Sequence, residues 1–305
     1  MKNSYTLFSI LIPTYNYNVY PLVEELHRQC SAIKNFTFEI VVFDDGSKLF
    51  HQENNQINDL ENCSYIILPQ NSGLAQTRNR LIDASRYDWI LLLDSDVLPK
   101  KPDFILNYLQ QTTKNPFPIY FGGISYYKNK PPENELLRWT YGIEREEQTA
   151  EKRTKINPRI FLSSNTLFAK KVFSETHYDD SIVQYGYEDL LFSKEVLAKG
   201  FQVMHLDNPV WHLKLDSSWE YLQKVRTALQ TLHRLIIEEK LDWEDTGITK
   251  MYKKLKNYGV INCMLFINKA LGVEKWLEKN LLSAKPKVKY LDLYRLLYFS
   301  RLNHV

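Results

Sequence analysis

Four stretches of the chain share one design, an apolar run that ends in a polar or turn-forming cluster. They run from Leu7 to Asn16 (LFSILIPTYN), Phe38 to Ser47 (FEIVVFDDGS), Tyr65 to Gly73 (YIILPQNSG) and Trp89 to Pro99 (WILLLDSDVLP). Each is short, rich in β-branched or aromatic residues and largely apolar on both faces, the pattern of inner strands in a parallel sheet. Between them lie helical periodicities, with apolar residues at 22, 23, 26 and 33 and again at 74, 75, 81, 82 and 84. Strand–helix–strand order with crossovers of this length predicts an α/β, doubly wound, mostly parallel sheet flanked by helices. Ligands of such sheets bind at the carboxyl ends of the strands. All four polar clusters fall there.

Beyond Pro99 the pattern is mixed. Ile119 to Tyr127 reads as a strand, and Lys128 to Arg159 as a charged, proline-containing excursion with a helix around Glu133 to Ile143. Ile160 to Phe173 reads as a strand and turn. Asp189 to Lys199 is helical and closed by Gly200, and Phe201 to His212 returns as a strand. From Ser217 on the periodicity is helical, near 217–239, 249–257, 259–281 and 288–301. The domain expectation is a catalytic domain over 1–215, with a nucleotide-binding half (1–99) and an acceptor-binding half (100–215), followed by a helical region over 216–305.

Composition adds two points. The hydrophobic content of 44% over 305 residues supports a sizeable core, and three scattered cysteines without a CxxC pair indicate neither a disulfide framework nor a zinc knuckle. A reducing compartment fits, and the first residues lack a signal core. With no apolar run near the roughly 20 residues that span a bilayer, the expectation is a cytoplasmic protein, soluble or peripheral at the inner membrane face. Net charge is only +3, but residues from Lys250 onward carry 12 Lys/Arg against three acids, leaving the rest of the chain acidic. The two parts have different electrostatic tasks.

Single motifs are ambiguous. Asp94-Ser-Asp96 at a strand end either ends the strand in a turn or faces a divalent cation that neutralises a diphosphate. Asp44-Asp45-Gly46-Ser47 is either an ordinary turn or a carboxylate accepting the imide N–H of a uracil. Arg78 is either a surface residue of an amphipathic helix or a site residue. Glu188-Asp189 at a helix start suits the helix dipole in any protein, although a carboxylate there could take a proton from an attacking hydroxyl. His212, after Trp211, is either packed or an imidazole ligand for manganese or a similar ion.

Their order along one sheet edge decides the matter. Pro13-Thr-Tyr-Asn16, Asp44-Asp45, Asn71-Ser-Gly73 with Arg78-Asn79, Asp94-Ser-Asp96, Glu188-Asp189 and His212 together resemble the family-2 glycosyltransferases of the GT-A fold, over about residues 6–215. The resemblance implies that Pro13, Thr14 and Tyr15 border the base, Asp44 or Asp45 pairs with the uracil, Asn71 and Gly73 flank the ribose, and Arg78 approaches base or diphosphate. It further implies that Asp94 touches ribose or donor sugar, that Asn165 in Ser163-Ser-Asn165 lies near that sugar, and that Asp96 and His212 ligate Mn²⁺ or Mg²⁺. Asp189 becomes the general base of an inverting transfer and Glu188 orients the acceptor. The expected partners are a nucleotide-sugar donor and a glycan or lipid-linked glycan acceptor.

Other readings fit less well. A dinucleotide-binding dehydrogenase needs Gly-x-Gly-x-x-Gly after the first strand, and a nucleotidyltransferase a basic glycine-rich loop; Pro13-Thr-Tyr-Asn16 is neither. In a polymerising polysaccharide synthase, Gln-x-x-Arg-Trp follows the Asp189 position, whereas here Arg138-Trp139 precedes it. A non-catalytic sugar-nucleotide or glycan-binding protein remains the alternative, separated by turnover. The interleaved basic and aromatic residues of 250–305 suit either a solvated helical face or an anionic membrane surface. They carry no nucleic-acid-binding module.

Overall fold

A computed structural model describes residues 7–114, 117–157 and 160–304. Pro158 and Arg159, the end of the expected excursion, lie outside the described residues, as do 1–6 of the first expected domain. The chain forms two compact units. The first holds residues up to Tyr126, Glu147–Val183 and Glu188–Lys214; the second holds Tyr127–Glu146, Gln184–Tyr187 and Leu215–Val305.

The first unit is built on strands β1 (Leu7–Thr14), β2 (Thr37–Asp44), β3 (Cys63–Ile67), β4 (Trp89–Leu93), β5 (Val97–Pro99), β6 (Ile119–Phe121), β7 (Ile124–Ser125), β8 (Asn165–Ala169), β9 (Val203–His205) and β10 (Val210–His212). Seven form one sheet in the order β3-β2-β1-β4-β8-β6-β9, and β5-β10-β7 form a second. β1 pairs in parallel with β2 and β4, whereas β8 runs antiparallel to β4 and β6. The mostly parallel half is buried on both faces, which is why β1, β2 and β4 read as continuous apolar runs.

β3 differs from the expectation of an inner strand. It is an edge strand, with Ile66 and Ile67 exposed. The single strand expected over Ile119 to Tyr127 is two, because Gly122-Gly123 breaks it and sends its halves to different sheets. Gly123 has φ +88, and a Cβ there would collide with the Arg153 guanidinium. The run from Phe201 to His212 is divided in the same way into β9 and β10.

Helices Tyr20–Ser31 and Leu74–Ala84 bury one face each, the latter through Ala75, Arg78, Leu81 and Ile82. In the second unit, helix Ser218–Ile237 starts in a capping box, with the Ser217 hydroxyl accepting from Glu220 N–H and the Glu220 carboxylate accepting from Ser217 N–H. The helix expected over 259–281 is broken at Gly272, whose φ of +65 ends Val260–Leu271 and begins Val273–Leu281. Among the described residues no helix is long and apolar enough to cross a membrane.

Candidate active site

The site grows from the carboxyl ends of β1, β2 and β4. At the end of β1, Pro13 and Thr14 are buried and the next residue, Tyr15, is exposed, so an aromatic face is presented to solvent where the strand stops. Asp44, the last residue of β2, is fully buried, accepting from Ser47 N–H at 2.7 Å and from the Tyr65 hydroxyl. Asp45 accepts from Ser72 N–H and Oγ and from Gly73 N–H at 2.8–2.9 Å. One carboxylate therefore fixes the Asn71–Gly73 loop, leaving Asn71 exposed. Gly46 makes this closeness possible: a Cβ on it would lie 2.9 Å from the Asn71 nitrogen, and its φ is +73.

At the centre is Arg78. It is 2% exposed, so its helix carries the guanidinium inward rather than to the surface. Nη2 donates to Asp94 Oδ1 at 2.9 Å and Nη1 to Asp189 Oδ1 at 3.1 Å. Burial alone would lower the pKa of Arg78, and the Asp189 and Asp94 carboxylates outweigh it and raise it. Its plane also lies 5.4 Å from the Tyr178 ring centroid. A planar, always-charged fork suits this double pairing, which an ammonium could not reproduce.

Two carboxyl groups respond to the same surroundings. Burial pushes the Asp94 carboxyl above its ordinary value, with Arg78 opposing and the charges of Asp96 and Asp189 adding to the rise. Burial, then the neighbouring Asp189 charge, raises Glu188 likewise. Asp189 itself is oriented by Ser163, which donates its Oγ–H to Oδ1 at 2.6 Å and its N–H to Oδ2 at 3.2 Å. The Ser163 hydroxyl also bonds Tyr178, whose ring stacks on Phe192 at 4.1 Å.

Asp96, in the turn before β5, and His212, in β10, form a separate pair at the small sheet. Asp96 Oδ2 and His212 Nε2 are 3.8 Å apart, and Leu213 N–H donates to the Asp96 carbonyl at 2.8 Å. The imidazole stacks on Tyr126 with centroids 5.5 Å apart, fixing its plane. One carboxylate and one imidazole are of the chemistry that could supply two ligands to a Mn²⁺ or Mg²⁺ ion. Among the described residues no group of three or more His, Cys, Asp and Glu is placed to hold a metal ion by itself.

Thus Arg78, Asp94 and Asp189 are brought together with Glu188 beside them, and Asp96 with His212. Asn165 is fully buried; its amide donates to the Gly123 and Asn208 carbonyls at 2.8 and 2.9 Å, and its Oδ1 accepts from Tyr108. It fixes the glycine break between the two sheets and has no face toward solvent. Sequence reasoning missed the roles of Ser163 and Tyr178. Ser163 lay inside a noted turn, but nothing in the sequence ties it to Asp189 26 residues later.

The sequence profile of glycosyl transferase family 2 matches residues 9–176, more than half of the chain. Chondroitin synthase of Escherichia coli is 26% identical over 226 residues, covering 63% of this chain and 32% of that protein. An uncharacterized glycosyltransferase of Haemophilus influenzae is 31% identical over 111 residues, covering 34% of this chain and 35% of that one. The chain therefore spans about a third of the length of the curated relatives it matches. Among solved structures, the mannosyltransferase PcManGT of Pyrobaculum calidifontis with GDP-Man and Mn²⁺ superposes with a TM-score of 0.61 at 14% identity, over 98% of this chain and 86% of that one. S. aureus TarS 1–349 in complex with UDP-GlcNAc gives 0.54 at 19% identity, over 98% and 92%. These likenesses establish a shared fold.

Proposed function

This chain belongs to glycosyl transferase family 2, and from that membership we propose that it moves one sugar from a UDP-sugar to a hydroxyl of a glycan or lipid-linked glycan, with inversion at the anomeric carbon. The acceptor oxygen attacks that carbon from the face opposite the diphosphate. A new C–O bond forms, the bond to the phosphate oxygen breaks, Asp189 takes the hydroxyl proton and UDP departs. The observation that carries this reading is the guanidinium of Arg78 shared between Asp94 and Asp189. It ties a donor-side carboxylate to the base and leaves Arg78 a charged partner after Asp189 is protonated.

The remaining roles follow from position. Tyr15 offers its exposed ring to the base, Asp45 accepts the uracil imide N–H with the fully buried Asp44 fixing the turn behind it, and Asn71 and Gly73 flank the ribose. Asp94 orients ribose or donor sugar, Glu188 orients the acceptor, and Asn165 acts from behind by fixing the backbone. Held by Asp96 and His212, Mn²⁺ or Mg²⁺ would neutralise the departing diphosphate. A uridine donor is favoured by the solved TarS complex with UDP-GlcNAc.

An anionic membrane surface is part of the same reading, since it would present a lipid-linked acceptor. Helix Val260–Leu271 leaves Val260, Phe266, Ile267 and Leu271 exposed within the lysine-rich part of the chain. Apolar side chains among basic ones suit a lipid interface.

Release of UDP across a panel of sugar nucleotides, with Mn²⁺ or with EDTA, tests the proposal. One donor is expected to be hydrolysed slowly in Mn²⁺ alone. Asp189→Asn should keep UDP binding and lose transfer by about 10²-fold or more; near-normal turnover in that variant would remove the base assignment.

A further inference from the structure

The second unit contains a cavity of about 200 Å³ walled by Tyr141, Tyr185, Tyr187, Tyr221, Arg138 and Arg295. That is smaller than the roughly 300–1,000 Å³ of sites that enclose drug-sized ligands, and suits one ring rather than a chain of them. Tyr141 and Tyr221 set their rings 5.7 Å apart, and burial raises the pKa of both hydroxyls, so they stand there as neutral donors. Aromatic faces with hydroxyl and guanidinium donors at their edges are the surroundings a hydroxylated ring requires.

Charge narrows the ligand further. Arg138 is paired with Glu146 at 3.0 Å, the one acid in the wall. Arg295 is different: its hydrogen bond goes to the Tyr187 hydroxyl at 3.4 Å, and among the described residues no carboxylate pairs with it. A partly buried guanidinium without a carboxylate partner carries a desolvation penalty that an anionic ligand would offset. The wall thus holds two arginines against one glutamate.

The backbone ties this cavity to the chemistry. Gly186 has φ +112, and a Cβ there would lie 2.5 Å from the Cβ of Ala228, so only glycine lets the segment seat on helix Ser218–Ile237. Tyr187 follows with φ +69, a left-handed conformation that is strained for a side-chain-bearing residue and clusters at functional sites. Tyr187 is followed in the chain by Glu188 and Asp189.

We propose that this tyrosine-lined cavity is an acceptor subsite that takes a sugar carrying an anionic group, carboxylate or phosphate, on Arg295. The proposal rests on the transferase reading for its place in the reaction but not for the binding itself. Saturation-transfer NMR on the full chain would compare glucuronate, glucose 1-phosphate and methyl glucoside, each with and without saturating UDP and Mn²⁺. At least one anionic probe should bind five-fold or more tighter than methyl glucoside and stay bound when UDP is added; which one it is separates carboxylate from phosphate. Arg295→Gln should abolish that preference and Arg295→Lys restore part of it. Equal binding of all three probes by the unaltered chain, displacement by UDP, or an unchanged preference in a folded Arg295→Gln variant would overturn the proposal. Failure of UDP itself to bind, with the Arg295-dependent preference intact, would instead count against the transferase reading.

Discussion

Replacing Arg78 by methionine removes the one cation that two carboxylates share. The oxygens of Asp94 and Asp189 lie 2.9 and 3.1 Å from its two terminal nitrogens, and so within about 8 Å of each other. At an effective dielectric near 20, 332/(20 × 8) is about 2 kcal/mol of repulsion left uncompensated. Breaking a buried pair from one side costs about 3–5 kcal/mol. Asp94 is a third exposed and screened accordingly, so the low end, about 3 kcal/mol, is the working figure. That is roughly a hundred-fold in the folded-to-unfolded ratio, or about 6–12 °C in Tm for a unit of this size. The cost should depend on pH. Burial already raises the folded pKa of Asp94, so the stability linked to this group is present below its unfolded value of about 3.9 and is lost as pH rises through the folded one. Without Arg78 the folded value climbs further and the loss at neutral pH grows. Urea unfolding at pH 7.0 and 4.5 should therefore show a larger penalty at pH 7.0, and adding Asp94→Asn should recover about 1–2 kcal/mol of it. A penalty below 1 kcal/mol at pH 7.0, equal penalties at both values, or strict additivity of the two changes would refute the reasoning.

Three further outcomes are expected. Ser163→Ala removes a charge-assisted bond worth about 1.5–3 kcal/mol, so transfer should fall about 10- to 100-fold while UDP affinity, read by calorimetry, stays within two-fold. His212→Ala should leave UDP binding in EDTA unchanged and abolish its strengthening by Mn²⁺; an intact Mn²⁺ effect would remove His212 from the ligand set. The chain should float with phosphatidylserine vesicles at low salt and be released at high salt, and Phe266→Glu with Leu271→Glu should prevent flotation. Absence of salt-sensitive binding by the unaltered chain would eliminate the membrane contact.

The mostly parallel half of the sheet was legible because each inner strand must be apolar on both faces, and such runs announce themselves. The edge position of β3 was not, since Tyr65-Ile-Ile reads alike whether Ile66 and Ile67 meet a neighbour or solvent. Two glycines hid a change of sheet at 122–123, because a strand pattern does not record which partner it pairs with. At the site, the acidic clusters stood out by their place at strand ends. The inward aim of Arg78 did not, for a helical arginine flanked by Thr77 and Asn79 has no sequence mark of burial. Ser163 and Tyr178 meet Asp189 only through tertiary packing, and spacing along the chain cannot reveal that.

The ladder between β4 and β8 has a consequence for how this protein can change over generations. Leu93 stands opposite Asn165, and Asp94 N–H reaches the Ser164 carbonyl, so the segment bearing Ser163 is indexed to the strand bearing Asp94 by an antiparallel register. Side chains alternate faces at every residue, so a one-residue slip reverses the whole strand. A substitution among Thr166, Leu167 and Phe168 alters one contact. An insertion or deletion in the same stretch exchanges the two faces at once and carries Ser163 out of reach of Asp189. Lineages of this protein should therefore vary in residue identity here long before they vary in length.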